Sequence, residues 1–263
     1  MSKSMPVLFV GHGSPMNAIE KSRFADRWKR VGESLPRPTA ILCISAHWET
    51  AGTKVTAMEK PKTIHDFYGF PPELYALQYP APGDPQLAAR VRELLAPLPV
   101  HADREWGLDH GSWAVLRFAY PQADVPVVQL SLDLTRAAPQ HYELGRRLAP
   151  LRDEGVLLAA SGDVVHNLRV MNRAPGMPPF EWAARFNARV RGCLERGEHA
   201  ALVAWEQEGE DARLSVPTPE HYLPLLYCLG ALAPGEPVWI PVDGIELGSV
   251  SMLCAVFGAA ATA

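Results

Sequence analysis

Short, almost unbroken apolar runs recur along this chain, and amphipathic stretches fill most of the gaps between them. Residues 7–10 form the first run, closed by Gly11. Residues 40–45, 54–58, 125–131 and 155–161 repeat the pattern. Runs of this length, bounded by Gly, Pro and polar clusters, predict strands. Their lack of in–out alternation predicts burial on both faces. Residues 237–242 and 250–257 predict two closing strands. Pro237 and Pro241 put the former at a sheet edge, because proline cannot donate to a ladder.

Helical spacing covers residues 17–32, 85–95, 112–118, 139–148 and 180–195, with a shorter helix near 200–206. Thr218 and Pro219 predict one more helix start, since Thr caps and Pro fits a first turn. Residues 60–84 lack periodicity and are rich in Pro, Gly and aromatics, which predicts a long loop with one helical turn. Strands alternating with helices predict an α/β fold. It is one domain over residues 1–263, with a mixed, mostly parallel central sheet covered by helices on both faces.

Composition narrows the classes. A chain of 263 residues with 48% hydrophobic and 21% charged positions has the make-up of a globular domain with a full core. The net charge of −4, without a basic stripe, argues against nucleic acid. The first apolar run is too short for a signal segment, and no run approaches the roughly 18 residues of a membrane span. The four cysteines form no C-x-x-C pair, so a reducing cytoplasm is expected rather than a disulfide framework.

The candidate chemistry is histidine. Five of the nine sit among Gly, Ser, Pro, Asp or Asn: His12, His47, His110, His166 and His221. Imidazole is the commonest transition-metal ligand and general acid/base near neutral pH. His12, His47 and His166 each follow a predicted strand, and open α/β sheets bind ligands beyond the carboxyl ends of their strands. If those strands are parallel neighbours, the three meet at one edge. His221 would enter in the first turn of its helix. Glu220 lies about 100° further round that helix, so His221 is taken as the ligand and Glu220 is held in reserve. Each histidine alone also fits an ordinary hydrogen-bonding role. His65, His101, His141 and His199 are read as structural or surface residues.

The same segments resemble the class III, LigB-type extradiol ring-cleavage dioxygenases, in particular the 4,5-DOPA dioxygenase branch. They are Gly11-His12-Gly13-Ser14-Pro15, Ser45-Ala46-His47-Trp48-Glu49, Asp66-Phe67-Tyr68-Gly69-Phe70-Pro71 and Tyr79 to Asp84. Leu108-Asp109-His110-Gly111, Gly162-Asp163-Val164-Val165-His166-Asn167-Leu168 and Pro219-Glu220-His221-Tyr222-Leu223-Pro224 complete the set, in order along nearly the whole chain. The resemblance implies one divalent metal on His12, His47 and His221. It implies His166 as the proton-handling residue or a fourth ligand, and His110 beside the substrate. It further implies Fe(II)-dependent opening of a DOPA-like catechol by O2 to a muconic semialdehyde. Three neutral imidazoles leave a divalent ion at +2, which a catecholate dianion would neutralise. Such a nitrogen set also suits Zn(II). Two other functions use the same residues: a zinc hydrolase, and a binding scaffold of the same fold without ring cleavage.

Overall fold

The apolar runs become the strands of one eight-stranded sheet in a single-domain α/β fold. The structure is a computed structural model that describes residues 4–20, 22–174 and 176–259. Lys21, Pro175 and both chain ends of the expected 1–263 domain lie outside the described residues.

The first half contains β1 (Val7–Gly11), α1 (Arg23–Ser34), β2 (Ala40–Thr50), β3 (Thr53–Thr56) and α2 (Pro72–Tyr75). It continues with α3 (Pro85–Leu95), β4 (Val100–Asp103), α4 (His110–Ala119) and β5 (Val127–Asp133). The second half contains α5 (Ala138–Leu148), β6 (Val156–Gly162), α6 (Glu181–Arg196), α7 (His199–Val203), α8 (Glu210–Ser215) and α9 (Leu223–Gly230). It ends with β7 (Val238–Val242), β8 (Ile245–Glu246), β9 (Val250–Ser251) and β10 (Cys254–Phe257).

The sheet order is β4-β3-β5-β2-β6-β1-β10-β7. The pairs β1–β6, β2–β6, β2–β5 and β3–β4 are parallel, whereas β1–β10, β10–β7 and β3–β5 are antiparallel. The mixed, mostly parallel sheet expected from the apolar runs is therefore present. The proline-bearing β7 is an edge strand, as its prolines require.

Strand alternation divides the core in two. Val7, Phe9, Leu42 and Ile44 join the cluster that packs under α3, α5, α6 and α9. Leu8, Val10, Ile41 and Cys43 join the cluster under α1 and α4. Burying one such side chain contributes about 1.5–3 kcal/mol, so both faces hold the sheet firmly.

Several elements depart from expectation. The segment read as a helix over 17–32 is a 3-10 turn at Pro15–Ala18, capped by Ser14, and then α1, whose cap is the Ser22 side chain. The run 250–257 is not one strand. Met252 and Leu253 turn a corner, leaving β9 in a two-stranded ribbon with β8 and β10 in the main sheet. The edge strand β4 was not foreseen, because Val-His-Ala-Asp is half polar. Thr218 caps no helix; it donates to Glu220 Oε1 at 2.9 Å, and α9 begins only at Leu223, with proline in its first turn.

Candidate metal centre and active site

The parallel strands β1, β2 and β6 end side by side, with Val10 and Ser45 both opposite Ser161. This is the sheet edge where the expected histidines gather. His12 leaves the end of β1. His47 lies inside β2, where the register against β5 breaks between Ile44 and Glu49. Such an irregularity re-aims side chains next to a site. His110 opens α4, whose first turn is capped by the Asp109 side chain. His166 follows β6 and bridges to Val250. His221 sits in the turn before α9, not in a helix. Asp163 N donates to His221 O at 2.8 Å, and that turn packs so closely on Gly162 that a Cβ there would strike His221 O.

All five rings converge. The centroid separations are 4.9 Å for His12–His47, 5.3 Å for His12–His221 and 5.1 Å for His47–His221. His110 lies 3.9 Å from His47, and His166 stacks on His221 at 3.4 Å. Ligand atoms within 4.8 Å of one another come from His12, His47 and His110, from His12, Asp163 and His221, and from His166, Glu220 and His221.

The groups behind the rings decide where the lone pairs point. The Ser161 hydroxyl donates to Gly111 O, so toward His12 Nδ1, 3.0 Å away, it can only accept. His12 therefore carries its proton on Nδ1 and keeps a lone pair on Nε2. Glu220 Oε1, 3.0 Å from His221 Nδ1, fixes the same tautomer there. Asp66 Oδ2 lies 3.4 Å from His47 Nδ1 and accepts from His110 Nδ1 at 2.9 Å. The Nε2 atoms of His12 and His47 consequently face each other at 3.0 Å, and His221 Nε2 is buried with no hydrogen-bond partner. Lone pairs this close repel unless a cation lies between them. A carboxylate or hydroxyl behind each imidazole is the usual outer shell of metal-bound histidine. The donor set therefore fits a divalent transition metal.

Electrostatics point the same way. Burial, reinforced by the neighbouring rings, holds His12, His47 and His221 well below the usual histidine range. Burial and His110 lower His166 to about 4. All four are neutral near pH 7, the form that binds metal or accepts a proton. Burial opposes ionisation of Asp66, but its hydrogen bond to His110 and the adjoining rings prevail and hold it below the ordinary range.

A cavity of about 260 Å³ opens over the cluster, walled by Phe67, Phe70, Leu168, Met171 and Leu247. It lies just under the roughly 300–1,000 Å³ of pockets for drug-sized ligands, which suits a single-ring molecule. Of the loop aromatics, Phe67 and Phe70 line it, whereas Tyr68 is 90% exposed. His65 instead binds Leu77 O and braces that loop, and His141 is buried beside the Tyr227 hydroxyl.

The residues that sequence reasoning missed are those holding the histidines. Asp66 and Asp163 stand inside the family-like segments without an assigned role, and Ser161 ends a predicted strand with none. Glu220, held in reserve as a ligand, stands behind His221. The available signal was a carboxylate or hydroxyl within each histidine-bearing segment.

A buried imidazole cluster at the carboxyl edge of a mostly parallel sheet, beneath a small apolar cavity, defines a candidate metal site with room for a small molecule. The chain belongs to the LigB family: residues 7–256 match the family described as "Catalytic LigB subunit of aromatic ring-opening dioxygenase". It is 55% identical over 262 residues to the 4,5-DOPA dioxygenase extradiol of Escherichia coli K12, covering 98% of this chain and 96% of that one. It is 41% identical to the Beta vulgaris 4,5-DOPA dioxygenase extradiol, covering 85% of each. A crystal structure of an uncharacterized Escherichia coli K12 protein superposes with a TM-score of 0.85 at 51% identity, covering 97% of this chain and all of that one. The protein is thus an extradiol dioxygenase of the LigB family. No helix among the described residues is long and apolar enough to cross a membrane.

Proposed function

We propose that this enzyme uses Fe(II), held by His12, His47 and His221, to open a catechol ring with O2. The observation carrying this reading is the convergence of Nε2 lone pairs from buried imidazoles whose Nδ1 protons are taken up behind them. Iron bound there would supply the electron path between catechol and O2.

The protein's own groups do the remaining work. His166, neutral and stacked on His221, is placed to take a catechol proton and later return it. His110, held through Nδ1 by Asp66, turns its other nitrogen to the pocket and supports developing charge on oxygen. Phe67, Phe70 and Leu247 keep water from the ring. The product is a muconic semialdehyde, which cyclises where the side chain carries an amine.

The all-imidazole set also accepts Zn(II), and zinc-loaded protein is expected to be inactive in ring opening. A cytoplasmic setting agrees with four cysteines that are all free and buried. The test is anaerobic loading of metal-free protein with Fe(II), then catechol and air. A yellow ring-opened product should form, and His12→Ala should abolish it. Absence of turnover of any catechol by fully iron-loaded protein overturns the reading. His166→Ala should keep the metal and lose turnover; loss of metal would instead make His166 a ligand.

A further inference from the structure

The cavity has a charged end that ring opening does not use. Its floor is the buried histidine cluster, and its walls are apolar. Arg173 is the one Lys, Arg, Asp or Glu among its lining residues. Arg173 is exposed at the mouth, and among the described residues no carboxylate forms an ion pair with it.

The segment bearing it is anchored. Asn167 N donates to Ser249 O at 3.1 Å and Asn172 N to Leu247 O at 2.8 Å, tying it to the β8–β9 ribbon. The Asn172 side chain accepts from Ala174 N at 2.9 Å and closes a turn around Arg173. From this segment, Leu168 and Met171 wall the cavity beside Arg173.

Resting on the proposed catechol chemistry, we infer that Arg173 selects substrates whose ring carries an anionic side chain, a carboxylate in the first instance. The diol enters toward the histidines at the floor, and a tail of two or three carbons reaches the mouth, where a guanidinium pairs with a carboxylate in fork geometry. The same lining has no carboxylate to pair with an ammonium group. Asp66 and Glu220 lie behind the histidines at their Nδ1 atoms, Asp163 is buried beside His12 Nε2, and none of the three lines the cavity. A catechol with a carboxylate and no amine should therefore be handled at least as well as a catechol amino acid, and a catechol amine worst.

The test compares dihydrocaffeate, 4-methylcatechol and dopamine on iron-loaded protein. Wild type should favour dihydrocaffeate over 4-methylcatechol in kcat/KM by about tenfold, the worth of one charge-assisted contact. Dopamine should be the poorest of the three. In Arg173→Gln the dihydrocaffeate-to-methylcatechol ratio should fall about tenfold, and Arg173→Lys should restore most of it. An unchanged ratio in Arg173→Gln overturns the assignment. Binding of phenylpropionate, which has no diol, separates this outcome from failure of the ring-opening reading. Its affinity should fall about tenfold in Arg173→Gln even if no catechol is cleaved, and equal affinity for both proteins overturns the role of Arg173.

Discussion

Asp66→Asn removes one oxygen from the carboxylate that faces both His110 and His47. Asp66 Oδ1 accepts the His110 backbone N–H at 2.9 Å, and Oδ2 accepts His110 Nδ1 at 2.9 Å. Oδ2 also faces His47 Nδ1 at 3.4 Å. An asparagine can preserve the backbone contact, but its amide then sets a donor against two ring N–H groups. A hydrogen bond to a charged group contributes about 1.5–3 kcal/mol, and loss of an outer-shell partner costs metal affinity roughly 10–100-fold. Iron or zinc affinity, measured by chelator competition, should therefore weaken by that factor. At saturating iron, turnover should still be down about 100-fold, because His110 is free to swap its tautomer and turn from the pocket. Unchanged affinity together with unchanged turnover would refute the reasoning. Since native Asp66 ionises more readily than an unfolded aspartate, its contribution to stability is present at neutral pH. That contribution is lost as acid protonates it below the ordinary aspartate range.

Other outcomes follow from the same geometry. His141 is buried, and burial lowers it to about 4, whereas an unfolded histidine protonates near pH 6.5. The unfolded chain binds the extra proton between those values, so stability should drop by about 3 kcal/mol from pH 7 to 4 through this residue alone. Urea midpoints of His141→Gln should depend less on pH over that interval; equal pH slopes would remove His141 as a cause. Leu247 adopts φ +52° in the two-residue turn closed by Ser249 N to Glu246 O, beside Gly248 at +76°. Leu247→Asn gives that turn its preferred residue and relieves about 1 kcal/mol of strain while deleting a cavity wall. Catechol binding should weaken several-fold with a melting midpoint no lower than wild type, and a clearly lower midpoint would contradict the strain. Zinc-loaded protein should bind catechol without consuming O2, and oxygen uptake by a zinc-only sample would contradict the assigned role of iron.

The parts of this molecule legible in sequence are those where one physical demand dominates. The runs around Phe9, Leu42, Leu130 and Leu158 read as central strands because they are short, bounded by Gly, Pro or polar residues, and apolar on both faces. Parallel pairing of β1, β2 and β6 then brought His12, His47 and His166 together as expected. What stayed hidden depends on partners distant in the chain. The corner at Met252 and Leu253 serves two sheets at once, which local periodicity does not encode. The turn at His221 is set by close packing on Gly162, so a helix rule applied to Thr218 and Pro219 placed it wrongly. The work of Asp66 and Ser161 appears only when residues 44 and 149 positions away in the chain are brought alongside them.

The central claim is that convergent imidazoles make this chain an iron-dependent ring-opening enzyme. Oxygen consumption measured against formation of the ring-opened chromophore, in protein reconstituted anaerobically with Fe(II) alone, tests it most directly. One O2 should disappear for each chromophore formed, and both signals should vanish in His221→Ala. Iron bound in full with a catechol present, and no oxygen consumed, would contradict the account.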